Sequence, residues 1–81
     1  MILKKGYTYY FDAEHLTTNN HPLFIGTTSS GGSYRYEYTS GVTNSRTTTV
    51  TLIFVVPSDS PSTLYYNCGN HKLVGGSIII L

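Results

Sequence analysis

The 81-residue chain has one cysteine, one methionine and no tryptophan, and only 11% of its residues are charged. Each scarcity excludes something. A lone Cys68 rules out an internal disulfide, so stability must come from packing, from a metal or from a neighbouring chain. Five Lys/Arg stand against four Asp/Glu, a formal +1, and they gather into no run, which excludes a binder driven by neutralising nucleic-acid phosphates. No segment approaches the ~20 consecutive apolar residues of a membrane span. The opening Met1-Ile2-Leu3-Lys4-Lys5-Gly6 has no long apolar core of a signal peptide, so a soluble, unprocessed chain is expected. No repeat of about 20 to 50 residues is present, which excludes a solenoid or propeller.

What the chain does have is the vocabulary of a β-protein: Thr and Ser in abundance, eight Tyr, and β-branched residues in its apolar segments. At 8.9 kDa there is room for one core, so a single domain over residues 1–81 is expected. Tyr7 to Phe11 predicts an aromatic strand after a Lys4-Lys5-Gly6 turn, with Ile2-Leu3 as the end of an earlier strand. Asp12 to Asn20 is a polar loop leading to the short strand His21-Pro22-Leu23-Phe24-Ile25-Gly26, and Thr27 to Ser33 is a flexible loop. Tyr34, Tyr36 and Tyr38 alternate with Arg35 and Glu37, which predicts a strand with a tyrosine face, open to stacking or sugar contact as well as to packing.

The strongest strand signal runs from Thr47 to Val56, with Val50, Leu52, Phe54 and Val56 on one face. Pro57 to Pro61 is a turn, and Leu64, Tyr66 and Cys68 share the inward face of the next strand. Gly69 to Gly76 forms a loop and Ser77 to Leu81 ends the chain in four consecutive apolar residues. Six or so strands without helical periodicity predict an all-β sandwich.

Three residues could carry chemistry together. Cys68 and His71 are three residues apart across a strand-to-loop corner, and the distant His21 could complete a His₂Cys set, the ligand trio of blue copper. The plainer reading is a buried small Cys68 beside a surface His71. His15, in the polar loop, reads as a solvated histidine. The carboxylates Asp12, Glu14, Glu37 and Asp59 are scattered, no Ser sits in a Gly-x-Ser-x-Gly frame, and only Asn70 is near enough in sequence to orient the His71 imidazole. These features point away from an enzyme.

Several runs carry a family likeness: Leu3 to Asp12, His21-Pro22-Leu23, Thr39 to Thr43, and above all Val56 to His71 followed by Val74-Gly75-Gly76. Across nearly its whole length the chain resembles the cupredoxin-like domains of marine tailed-phage virion proteins, those of cyanophages and their relatives. The resemblance implies a small cupredoxin-like Greek-key β-sandwich serving as a non-enzymatic structural or decoration protein of a virion, on a capsid or tail. Its implied partners are other virion proteins and copies of itself, with contact at a host surface also open to it. In the family pattern the last run ends Cys-x-x-His-x-x-Met-Gly-Gly. Here Val74 stands at the axial methionine, so a metal site would have His21, Cys68 and His71 as its only protein ligands, with copper as its metal and no cofactor needed for a structural role. The alternative is a blue copper electron carrier with that three-coordinate site.

A second departure is at the start, where family members begin with a further strand and hairpin and this chain has only Ile2-Leu3. One sheet is therefore expected to lack its usual first strand and to show an unfilled edge. The terminal Ile78-Ile79-Ile80-Leu81 is expected as an exposed apolar end.

Overall fold

In the computed structural model, which describes residues 1–13, 22–69 and 75–81, the chain forms seven strands. They are β1 (Ile2–Leu3), β2 (Thr8–Asp12), β3 (Leu23–Gly26), β4 (Val42–Thr43), β5 (Thr51–Val55), β6 (Thr63–Cys68) and β7 (Gly75–Ile80). The period-2 pattern of β5 explains its position. Leu52 and Phe54 are fully buried, whereas Thr51 and Val55 point outward. Burying a side chain such as Phe54 stabilises the fold by about 1.5–3 kcal/mol.

The strands form two sheets, β1-β7-β6-β3 and β2-β5-β4, and the inward side chains of both meet in one core. The four-stranded sheet contributes Leu3, Leu23, Ile25, Leu64, Ile78 and Ile80, and the three-stranded one contributes Phe11, Leu52 and Phe54. Tyr9, Tyr38, Val42 and Tyr66 pack against this cluster with their phenol or methyl groups. The protein is therefore a small all-β sandwich, as its strand patterning implies. The expected core residues Leu52, Phe54, Val56 and Leu64 are buried together, with Tyr66 half-buried beside them.

The Lys4–Tyr7 segment is a turn closed by the Tyr7 N–H donating to the Lys4 carbonyl at 3.3 Å, with Gly6 at φ 84°. Gly6 and Tyr7 together face Val56: the Gly6 N–H donates to the Val56 carbonyl and the Val56 N–H donates to Tyr7. This is a bulge that needs glycine at its first position, and it sets the register of β2 on β5, from Thr8↔Val55 to Asp12↔Thr51. The Pro57 turn is also present, with the Ser60 N–H donating to the Pro57 carbonyl.

Four expectations are corrected. Tyr34 to Tyr38 is not a strand. It turns, the Glu37 N–H donating to the Tyr34 carbonyl, and touches β3 only through the Gly26↔Glu37 bridge. Its three tyrosines go to three places: Tyr34 against Phe24, Tyr36 out to solvent under Arg35, and Tyr38 edge-on to Phe54. The strand expected from Thr47 begins only at Thr51, because the Thr47 hydroxyl accepts the Val50 N–H and bends the chain, leaving Val50 half exposed.

Ile78-Ile79-Ile80 is not a bare end. It is an interior strand, antiparallel to β6 and parallel to β1, with Ile78 and Ile80 buried and only Ile79 facing out. Its parallel partner is Ile2-Leu3, a strand as expected, and β7 starts at Gly75, inside the loop expected through Gly76. No strand among the described residues pairs with the outer side of β2.

Candidate functional site

The corner where β6 ends is built from both sides. Cys68 is fully buried, and its position opposite Leu23 in the β3–β6 ladder fixes which side it faces. The Gly69 N–H donates to the Pro22 carbonyl at 2.8 Å, and the Cys68 carbonyl accepts the Gly32 N–H at 3.0 Å. Two loops are thus pinned to a two-residue corner. Pro22 follows His21 directly in sequence and Gly69 precedes His71 by two positions, but His21, His71, Val74, Asn70 and His15 lie outside the described residues.

Tyr34 closes the corner from above. Its hydroxyl sits so close over Gly69 that a β-carbon there would collide with it, which accounts for glycine at that position. The ring is held between Phe24, edge-on at 5.0 Å, and the Arg46 guanidinium, 3.8 Å from its centroid. Arg46 is in turn fixed by Glu37, which accepts from Nε at 3.2 Å and from a terminal nitrogen at 2.7 Å, while the Ser45 hydroxyl donates to the other carboxylate oxygen. To reach both, Arg46 takes a left-handed backbone, φ 66°, and donates its N–H to the Leu23 carbonyl at 2.6 Å. Such a conformation costs a non-glycine residue about 1–3 kcal/mol and persists only where its surroundings hold it.

The electrostatics follow from this bracket. Burial raises the Tyr34 phenol above its ordinary value, with the Arg46 charge opposing and Cys68 and Glu37 adding to the rise. For Glu37, burial works to raise the carboxyl, but the bonds from Arg46 and Ser45 and the Arg46 charge outweigh it and the net shift is downward. The hydrogen bond to Glu37 raises Arg46 further.

Chemically, a buried thiol at a pinned corner suits a soft-metal ligand, and one thiol with two imidazoles is a donor set that fits copper in kind. Cys68 is the one member of that trio among the described residues, and those residues contain no group of three or more His, Cys, Asp or Glu close enough to hold a metal. Glu37 is committed to Arg46, and Asp12 and Asp59 lie on a strand and a turn apart from it, so no carboxylate pair is assembled among the described residues.

A second feature lies on the outer face of the four-stranded sheet. It is a cleft of about 190 Å³ lined by Ser29, Tyr65, Asn67, Gly75, Gly76 and Ser77. Asn67 is buried there and donates Nδ2 to the Thr28 carbonyl at 3.0 Å, tying the 27–33 loop to β6. A space this size admits a few waters or one small polar group. Sequence reasoning missed the Tyr34–Arg46–Glu37 bracket, whose only trace was the tyrosine alternation.

No family model, curated protein or solved structure matches this chain.

Proposed function

We propose that this protein is a non-enzymatic structural component of a virion, a cupredoxin-like sandwich that decorates or joins parts of a phage capsid or tail through its sheet edges. The observation that carries this reading is the outer side of β2, a five-residue strand edge with no pairing strand among the described residues. Natural monomers blunt such edges with charge, proline or a covering loop, whereas assembly proteins use them. The apolar outer face of the same sheet, with Tyr10, Ile53 and Val55, adds contact area, and a net charge of +1 offers little repulsion between copies. The virion assignment itself comes from the sequence likeness. Mass spectrometry of purified particles tests it: the chain is expected at a fixed copy number per particle, and its absence from washed particles would overturn the reading.

The pinned Cys68 corner favours a second reading, a blue copper electron carrier. Its expected signature is an intense visible charge-transfer band on adding Cu(II), lost in Cys68→Ser. A colourless protein that takes up no copper would remove this reading.

A further inference from the structure

The cleft of about 190 Å³ on the four-stranded sheet has no charged side chain in its lining. Tyr65 and Asn67 enter it from β6, directly across the ladder from Ser77 and Gly75 of β7, and Ser29 enters from the 27–33 loop. It is open because nothing stands opposite Asn67. Gly75 has φ 147°, and a β-carbon there would collide with the Tyr66 carbonyl, so the backbone itself keeps that position free of a side chain. Gly26, on β3, makes the matching space on the other flank: a β-carbon there would lie 3.0 Å from the Asn67 Nδ2.

Asn67 is the buried polar group of the cleft, only 2% exposed. Its Nδ2 donates to the Thr28 carbonyl at 3.0 Å and, at 3.5 Å, to the Tyr65 carbonyl. Both partners are acceptors, which identifies that end of the amide as the nitrogen. Oδ1 is the end left over, and it accepts from none of the described residues. A buried acceptor without a donor is costly, so Asn67 favours whatever brings a donor into the cleft. The hydroxyls of Ser29, Tyr65 and Ser77 also bond to none of the described residues, and each can donate as well as accept.

We infer that this cleft binds one neutral pyranose ring, the terminal sugar of a glycan. A lining without charge offers no counterpart to an anion and no hard or soft ligand set to a metal ion. Three hydroxyls and an amide oxygen instead match a ligand that donates and accepts at adjacent points, as vicinal sugar hydroxyls do. Such hydroxyls also reproduce the hydrogen bonds of the water they displace. The Tyr65 ring and the bare backbone at Gly75 supply apolar surface for the C–H face of the sugar. The volume falls below the roughly 300–1,000 Å³ of sites that enclose a drug-sized molecule, which suits a single ring. An open site for one ring binds weakly, with a dissociation constant on the order of 1 mM.

Amide chemical-shift titration of the whole chain tests this, with methyl β-glucopyranoside, methyl β-galactopyranoside and methyl α-mannopyranoside as probes and sorbitol as an acyclic control. At least one glycoside is expected to give saturable shifts at residues 29, 65, 67 and 75–77, and sorbitol none. Ser77→Ala, at an exposed side chain that makes no bond among the described residues, should keep the wild-type spectrum elsewhere and weaken binding about threefold to tenfold. Tyr65→Ala, which removes both ring and hydroxyl, should weaken it more than tenfold. If Tyr65→Ala unfolds, Tyr65→Phe keeps the ring and should match Ser77→Ala.

The inference is overturned by an absence of saturable shifts with all three glycosides, by shifts centred elsewhere, by an equal response to sorbitol, or by binding indifferent to the Ser77 and Tyr65 variants. It rests on the cleft alone. Sugar binding by a chain absent from particles, or a particle component that binds no sugar, would separate it from the virion reading.

Discussion

Among the described residues β3 and β2 each close a sheet with no regular strand on their outer side, and they treat that side in opposite ways. On β3 the chain itself closes the edge. Leu23 donates to the Thr47 carbonyl and accepts from Arg46, Ile25 accepts the Tyr38 N–H, and Thr27, just past the strand, donates to the Tyr36 carbonyl. All four β3 residues are buried, the outer face of Phe24 by the ring of Tyr34. On β2 the outward groups of Thr8 and Tyr10 meet no partner among the described residues, and the Tyr10 side chain is exposed. The difference teaches that edge protection here is bought with irregular chain. The 34–47 segment drapes over β3 because the Arg46–Glu37 pair and the Arg46–Tyr34 stack hold it there, and no comparable segment among the described residues serves β2.

The largest expected effect removes what both edges depend on. Phe54→Ala empties the centre of the shared core and should cost about 3–5 kcal/mol, enough to unfold a domain of this size, as read from denaturant melts. A soluble variant with unchanged melting would mean the inner face of β5 is misassigned.

A smaller change attacks the cover on β3 alone. Gly69→Ala drives a methyl group into the Tyr34 hydroxyl and should destabilise by about 1–3 kcal/mol, with faster amide exchange in 34–38 and none added in β2.

A matched pair of prolines compares the edges directly. Thr27→Pro deletes the bond to the Tyr36 carbonyl and should cost about 1 kcal/mol, whereas Thr8→Pro deletes no bond made among the described residues and should stay within about 0.5 kcal/mol. Equal costs would erase the distinction drawn between the two edges.

The smallest effect is pH-dependent. Because the folded Glu37 carboxyl titrates below its ordinary value, its stabilising contribution is present above that ordinary value, near 4.5, and is lost as pH falls through the lower, folded one. Glu37→Gln should flatten this part of the acid limb and loosen the cover on β3. An unchanged acid limb would show that the pair does not hold the segment.

Much of this was legible from the residues. The alternation in Thr51–Val55, the inward Leu64 and Cys68, the Lys4-Lys5-Gly6 turn and the Pro57 turn all follow from local chemistry, and local chemistry is what a sequence displays. The cover on β3 was not legible for the same reason. Tyr34, Tyr36 and Tyr38 alternate as a strand would, but their placement is decided by Arg46, nine positions from Glu37 and in a backbone conformation no arginine advertises. The bend at Thr47 came from a hydroxyl competing with the ladder. The apolar C-terminal run gave its strand but not its neighbours, since parallel pairing with Ile2-Leu3 spans almost the whole sequence. Of the candidate site, Cys68 and its burial could be read in advance, while Tyr34 over Gly69 could not.

That parallel pairing governs the order of events in folding. Ile2 and Ile79 are neighbours in space and nearly the full chain apart in sequence, and the Leu81 N–H and carbonyl are both held by residues 3 and 5. A contact this remote repays its loop-closure entropy only after the intervening strands have collapsed, so β1 docks on β7 late. Refolding should accordingly be slow for so small a chain, on the order of milliseconds to seconds. Until that step is complete, the isoleucine strand β7 presents an open, adhesive edge that the finished sheet buries between β1 and β6.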